Sequence, residues 1–386
     1  MQILAVLITI TLISSAAGFT AFVPRTLCLS IPTRPDCRKS TSQIVRKVDI
    51  SAIMASTGAE ADKAKGLIPE WLVLCTNFGL WYAISACYNI YNKKALNNLH
   101  LPNLVATIQM ATGIALFVPA WLLRLREAPF KSTKEFREIL WNQKGVALFT
   151  SLSHIAGVIA LGAGSVSFTQ VVKGAEPVFT ALISALFMGQ FLAWQSYLSL
   201  VPVIAGVCLV SANEMTFSWF CLIMGGLANL FAGARSVFGK AQMSSASVKN
   251  MSSENYYSII TILATLMLVP ATVYLEGAKI GQVFEVIRSG GALGAAYQEG
   301  LKQSFYSGLL FYMYNELSFK VLGRVNPVTH AIANTAKRVV IIISSVIWFH
   351  NPINMQGKVG SAVTLTGLLV YSLSEYYTKQ KKWPGM

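Results

Sequence analysis

What most constrains this chain is the recurrence of apolar stretches long enough to cross a bilayer. A spanning helix needs about 20 predominantly apolar residues, because the hydrocarbon core is ~30 Å thick and a helix rises ~1.5 Å per residue. Ten stretches meet that length: roughly 71–91, 103–123, 145–165, 168–188, 194–212, 216–239, 256–275, 303–322, 328–349 and 356–376. Only 12% of the residues are charged and 54% are hydrophobic, and that charged share is about half of a soluble domain's. Backbone groups in lipid must find partners inside the segment, so such stretches read as helices. The expectation is an all-α integral membrane protein with ten transmembrane helices. Pro177, Pro202 and Pro270 fall inside spans, which membranes tolerate because neighbours re-satisfy the freed backbone groups. Two connections read as long polar linkers, 124–144 with Arg, Lys and Glu, and 276–302 with many Gly.

The two halves resemble each other. "ISALFMG" (183–189) lies over "ISSVIWF" (343–349) at an offset of 160, and "VIAGVCLVS" (203–211) lies over "TLTGLLVYS" (364–372) after one inserted residue. This pairs the fourth span with the ninth and the fifth with the tenth. Five spans per half give the halves opposite orientations, so the spacing predicts two inverted five-helix repeats, 71–212 and 213–376. A polar tail (56–70) precedes them and a basic tail (377–386) follows. Counted from Lys63, fifteen Lys and Arg fall on the side shared by both termini, and five on the other, Lys93 and Lys94 among them. Both termini are therefore expected on the cytosol-like side.

Residues 1–18 form a short apolar run ending in small residues, which reads as a secretory signal peptide despite the lack of a positive start. The continuation, "GFTAFVPRTLCLSIPTRPDCRKSTSQIVRK", carries six Lys and Arg against one acidic residue, with many Ser, Thr and Pro. That is transit-peptide composition, assigned to 19–55. A signal followed by such a segment, with Phe near the junction, resembles the bipartite leaders of algae with complex plastids, such as diatoms.

Several function classes are excluded or disfavoured. The net charge of +15 is scattered over loops and termini, with no basic stripe rich in stacking aromatics, so no nucleic-acid partner is expected. The six Cys show no CxxC spacing; Cys28 and Cys37 lie in the leader, while Cys75, Cys87, Cys208 and Cys221 read as packing residues. No HExxH, GxSxG or phosphate-cradling Gly loop occurs, so no catalytic residue, metal or cofactor is assigned.

The informative residues are charges at membrane depth. Lys173 and Glu176 fall in span four, Arg235 in six, Glu316 in eight, and Lys337 with Arg338 in nine; His154 and Tyr314 add polar groups. A cation in mid-membrane costs roughly 2.5–3.5 kcal/mol on insertion scales. Under the repeat offset Lys337 falls on Pro177, one turn from Lys173, which puts cations of both halves at similar depth. At an effective dielectric near 20, each like pair about 6–8 Å apart repels by roughly 2–3 kcal/mol. A bound anion of charge near −2 turns that repulsion into attraction, and the Arg fork with compact Lys charges suits a phosphate. The residues alone also admit plainer readings. Lys173 could be neutralised by Glu176, the Lys337–Arg338 pair could mark a helix end, Arg235 and Tyr314 could anchor at the interface, and His154 could simply pack.

"CYNIYNKKALNNLHLPNLVATIQM" (87–110), "VSFTQVVKGAEPVF" (166–179), "RSVFGKA" (235–241), "YNELSFKVLGRVNPVTHAIANTAKRVVIIISSVIWF" (314–349) and "GSAVTLTGLLVYS" (360–372) resemble the plastidic sugar-phosphate/phosphate translocators of the drug/metabolite transporter superfamily. The resemblance implies that Lys173, Lys337 and Arg338 hold the substrate phosphate, and that His154, Arg235 and Tyr314 approach the rest of the substrate. Two positions depart from the pattern: Gly157 stands where a small hydroxyl residue is usual, and Gln170 where many members have His.

The implied function is exchange of triose phosphate or 3-phosphoglycerate for inorganic phosphate across a plastid envelope membrane by alternating access, with both termini on the stroma-like side. The implied partners are inorganic phosphate, phosphorylated C3 metabolites and the lipid bilayer. The alternatives are a hexose- or pentose-phosphate exchanger of the same family, a Golgi nucleotide-sugar transporter suggested by the Asn250-Met251-Ser252 sequon, and a membrane enzyme acting on lipid phosphates.

Overall fold

The computed structural model describes residues 70–381, apart from 125, 131, 190, 215–216, 244–250, 323–326 and 351–352. The leader, Cys28, Cys37 and Asn250 lie outside the described residues. Contacts divide the chain into 1–77, of which 70–77 begin the first helix, and a compact unit 78–386 that holds the site.

Every regular element among the described residues is helical: α1 (Glu70–Leu99), α2 (Pro102–Leu122), α3 (Thr133–Ala163), α4 (Val166–Lys173), α5 (Glu176–Met188), α6 (Trp194–Asn213), α7 (Trp219–Met243), α8 (Ser253–Ser289), α9 (Gly291–Leu322), α10 (Pro327–Phe349) and α11 (Met355–Lys381). Local chemistry sets many of the boundaries. Ser132, Ser165 and Ser252 accept hydrogen bonds from the amides of Glu135, Phe168 and Asn255, capping α3, α4 and α8. Pro102 occupies the first turn of α2 and Pro177 that of α5, where a missing N–H costs nothing.

Among the described residues, seven helical stretches are long and apolar enough to cross a membrane by length and composition: Pro102–Leu122, Thr133–Ala163, Val166–Met188 (α4 and α5 taken together), Trp194–Ala212, Trp219–Gly239, Glu254–Ser289 and Ile332–Phe349. The remaining expected spans fall within α1, α9 and α11, which are long but more polar. Their polar side chains point inward: Asn89, Ser307 and Thr364 are all buried. Helices of this kind carry their polarity to neighbours instead of lipid.

Three expectations are corrected. The polar linkers at 124–144 and 276–302 are largely helix: α3 begins at Thr133, and α8 continues to Ser289. At 37 residues, α8 reaches ~55 Å, well beyond the hydrocarbon layer. The Gly-rich composition of 276–302 suggested a loop, yet the helix breaks only at Gly290 and Gly291, whose φ of +79° and +85° favour glycine. Second, Lys93 and Lys94 do not sit in a loop but in the last turns of α1. Third, span four is not one helix. It breaks after Lys173, and α5 starts again at Glu176. Pro177 has no N–H to give the carbonyl of Lys173, so the ladder is interrupted there.

The packing follows from these elements. α6 runs against α11, α3 against α7 and α8, α2 against α8 and α9, and α4 against α10. α8 also holds the start of α2: the buried Glu276 carboxylate accepts from the amides of Asn103 (3.1 Å) and Leu104 (2.8 Å) and from Asn103 Nδ2 (2.7 Å). A carboxylate on these orphan amides satisfies both the helix end and its partial positive charge.

Candidate functional site

The break in span four places its ionic side chains. Lys173 ends α4, Glu176 opens α5, and α4 packs on α10. The Val172 carbonyl near the break accepts from Asn229 Nδ2 of α7 at 2.7 Å. Lys337 and Arg338 sit roughly three turns inside α10, which overturns the reading that they mark a helix end.

The six residues expected to meet the substrate line one cavity of about 290 Å3: His154 from α3, Lys173 from α4, Arg235 from α7, Tyr314 from α9, and Lys337 and Arg338 from α10. Adjacent residues on a helix diverge by about 100°, yet both members of the basic pair reach this space. Among the described residues, Lys173, Arg235, Lys337 and Arg338 face a single carboxylate there, that of Glu176. With His154 neutral the wall carries a net charge of +3, so its complement is an anion.

Three of the four cations, Arg338, Lys173 and Lys337, are held in different ways. Arg338 Nη2 lies 3.7 Å from Glu176 Oε2, a pair that remains partly exposed. The carboxylate three residues after Lys173 thus makes its ion pair with α10. Lys173 instead extends over Gly157 of α3, where a Cβ would stand 3.1 Å from Nζ and 3.3 Å from Cε. The missing side chain at 157 is the space the ammonium uses. Lys337 Nζ lies 4.8 Å from the ring centroid of Trp81 and 5.4 Å from that of Tyr314. Among the described residues it has no carboxylate partner.

Aromatic and amide side chains complete the walls. The His154 ring packs on Phe311 at 4.5 Å between centroids, and its buried Nε2 has no hydrogen-bond partner among the described residues. Tyr314 packs between Tyr88 (5.2 Å) and Phe311 (5.5 Å). Gln170 donates to Asn89 Oδ1 at 2.9 Å, tying α4 to α1. Sequence reasoning missed the contribution of α1, namely Ser85, Tyr88 and Asn89 on the cavity and Trp81 beneath Lys337. None is charged, so none stood out. Their spacing of four, three and one residues, which places all of them on one helix face, was the available signal.

A cavity within a bundle of membrane-length helices, lined by four cations and one carboxylate, suits a small anionic solute more than a protein or nucleic-acid partner. Comparison with known proteins agrees. The Triose-phosphate Transporter family model matches residues 72–372. The chain is 33% identical over 320 residues to the triose phosphate/phosphate translocator, non-green plastid, of Brassica oleracea var. botrytis, covering 82% of this chain and 77% of that protein. It is 33% identical to phosphoenolpyruvate/phosphate translocator 1 of Arabidopsis thaliana, covering 83% and 76%. It is 31% identical to glucose-6-phosphate/phosphate translocator 2 of the same plant, covering 86% and 84%. These relatives are chloroplastic transporters and not enzymes, as the lack of a catalytic signature led one to expect. The matched family covers nearly all of the helical region, and the chain belongs to the triose-phosphate transporter family.

Proposed function

We propose that this protein is an antiporter that exchanges triose phosphate and 3-phosphoglycerate for inorganic phosphate across a plastid envelope membrane. Lys173, Lys337 and Arg338 hold the phosphate group, and His154, Arg235 and Tyr314 meet the remainder of the solute. The observation that carries this reading is the excess of three positive charges in the cavity. Without an anion, closing both sides would seal mutually repelling cations in a low-dielectric space. With phosphate bound the charge is offset and the carrier can occlude. Return of the empty carrier is therefore slow, which makes transport an obligatory exchange.

Alternating access is proposed to run on ten spans in two inverted repeats, 71–212 and 213–376, with both termini on the stroma-like side. A reciprocal contact supports the repeat. The offset that lays "VIAG" over "TLTG" equates Val203 with Thr364 and Gly206 with Gly367. A Cβ on Gly206 would collide with Thr364 Oγ1, and one on Gly367 would meet Val203 Cγ2 at 2.8 Å. Each contact is the image of the other under exchange of halves, as a two-fold relation requires.

The test is uptake of labelled phosphate into liposomes holding the purified carrier. Uptake is expected only with phosphate or a phosphorylated solute inside; equal uptake into empty vesicles would sink the exchange mechanism. In a competition series, dihydroxyacetone phosphate and 3-phosphoglycerate are expected to compete best. Stronger competition by phosphoenolpyruvate or glucose 6-phosphate would overturn the C3 assignment while leaving phosphate exchange intact. Fluorescent tagging of residues 1–55 tests the plastid location, and Golgi labelling would refute it.

A further inference from the structure

We infer that Trp81 is a positioning residue of the phosphate site, one that holds Lys337 in place without using up its hydrogen-bond donors. The inference rests on the functional reading above and adds to it a residue that carries no charge and does not itself line the cavity.

The reasoning begins with what each cation does with its donors. An ammonium has three N–H groups and no acceptor. Buried in low dielectric, it must be held by something, or its long side chain wanders and its charge goes uncompensated. The protein uses a carboxylate for Arg338, whose guanidinium pairs with Glu176 at 3.7 Å. For Lys337 it uses two ring faces, Trp81 at 4.8 Å and Tyr314 at 5.4 Å. Among the described residues no hydrogen bond or ion pair holds this ammonium. Both distances lie within the ~6 Å over which a ring quadrupole attracts a cation, and indole is the strongest of the side-chain rings.

The choice of partner matters for a carrier that must bind and release an anion every cycle. A carboxylate would cancel the charge of Lys337 and compete with phosphate for its protons. A ring face attracts the cation but takes no N–H bond, so the charge and donors remain available to an oxyanion arriving from the cavity side. Trp81 suits this role because it is itself fixed. It is 1% exposed and belongs to the α1 face that also carries Ser85, Tyr88 and Asn89 to the cavity wall. A rigid indole beneath a flexible lysine sets where the ammonium stands.

The experiment measures the dissociation constant of inorganic phosphate for the purified full-length carrier by titration calorimetry. It compares wild type, Trp81→Phe and Trp81→Met, with thermal melting recorded on each. Methionine keeps apolar bulk without a ring face. Its dissociation constant is expected to rise about three- to tenfold, with phenylalanine restoring most of the loss. A packing role alone would lower the melting temperature of both variants and leave phosphate affinity unmoved. An unchanged constant in Trp81→Met, or equal losses in the Met and Phe variants, overturns the inference. Should Trp81→Met fail to fold, Trp81→Leu takes its place with the same expectation. Wild type is assayed for exchange in the same preparation. A wild type that exchanges phosphate beside a Trp81→Met of unchanged affinity refutes the inference alone. A wild type that neither binds nor exchanges phosphate refutes the functional reading, and the inference with it.

Discussion

Two adjacent basic pairs, Lys93–Lys94 in α1 and Lys337–Arg338 in α10, look alike in the sequence, yet the fold treats Lys93 and Lys337 in opposite ways. Lys93 spends its ammonium on the end of α3, donating to the carbonyls of Leu161 (2.9 Å), Gly162 (3.2 Å) and Gly164 (2.9 Å). These are the carbonyls that a helix C-terminus leaves without intrahelical partners, and they carry its partial negative charge. Lys94 lies over the Trp348 ring at 4.4 Å, near the end of α10. Together they brace α1 against one helix from each half of the sequence. Among the described residues Lys337 is held by ring faces alone, and Arg338 pairs with one carboxylate for a fork of five donors. Lys93 is structural because its bonding capacity is consumed, whereas Lys94 shares with Lys337 the contact to a ring face. The second pair is available for a ligand because its capacity is held in reserve. A basic residue at membrane depth is thus not by itself a sign of a binding site; what distinguishes one is how many of its donors the protein has left unused.

This comparison can be broken or sharpened by substitution. The largest effect is expected from Lys337→Ala or Arg338→Ala. On the proposed reading each removes charge-assisted bonds to phosphate, and exchange in liposomes should fall by about 100-fold while the protein still inserts and melts cooperatively. Normal exchange by both variants would end the assignment of the site. Lys93→Met should show the reverse pattern. Stranding three carbonyls is expected to cost about 1–3 kcal/mol of stability, read as a lower melting temperature in detergent, with KM for phosphate within about twofold of wild type. A KM raised as far as in the Lys337 variant would erase the distinction between the two pairs.

Smaller changes refine the availability of Arg338 and Lys173. Glu176→Gln frees the guanidinium and raises the charge of the cavity wall. The pair is partly exposed, so solvent screens it, and KM for phosphate is expected to fall only about twofold. A rise in KM would show that Glu176 orients Arg338 more than it competes for it. Gly157→Ser introduces a Cβ 3.1 Å from Lys173 Nζ, at the flexible end of a side chain that can yield by a few tenths of an ångström. A change in KM within about threefold is expected, since a hydroxyl there meets the ammonium without removing its charge. A larger loss would show that the position of Lys173 over Gly157 is itself essential.

The cations of the cavity were legible because charge at membrane depth is costly and therefore conspicuous, and the repeat offset already placed Lys173 and Lys337 at similar depth. Helix extent was less legible. Residues 276–302 looked like a loop because their glycines were read as breakers, yet Gly277 and Gly281 sit inside α8 and only Gly290 and Gly291 take left-handed φ. The interruption of span four was written in the run Gly174-Ala175-Glu176-Pro177. It was read as a tolerated proline because a span with one proline and a span in two pieces share the same hydropathy. Trp81 could not be picked out, since an aromatic residue that packs and one that holds a cation are identical until the lysine's position is known.

The crossing of α6 with α11 has a mechanical consequence. A methyl group on Gly206 would come within 2.6 Å of the Gly360 carbonyl, and one on Gly367 within 2.9 Å of the Val203 amide. The two backbones therefore touch directly, with no layer of side chains to act as a bearing. Sliding one past the other by a single residue, ~1.5 Å of helix rise, would drive side chains into main chain. Whatever rearrangement carries the solute across, these two helices travel as one strut, and the moving joints have to be elsewhere in the bundle.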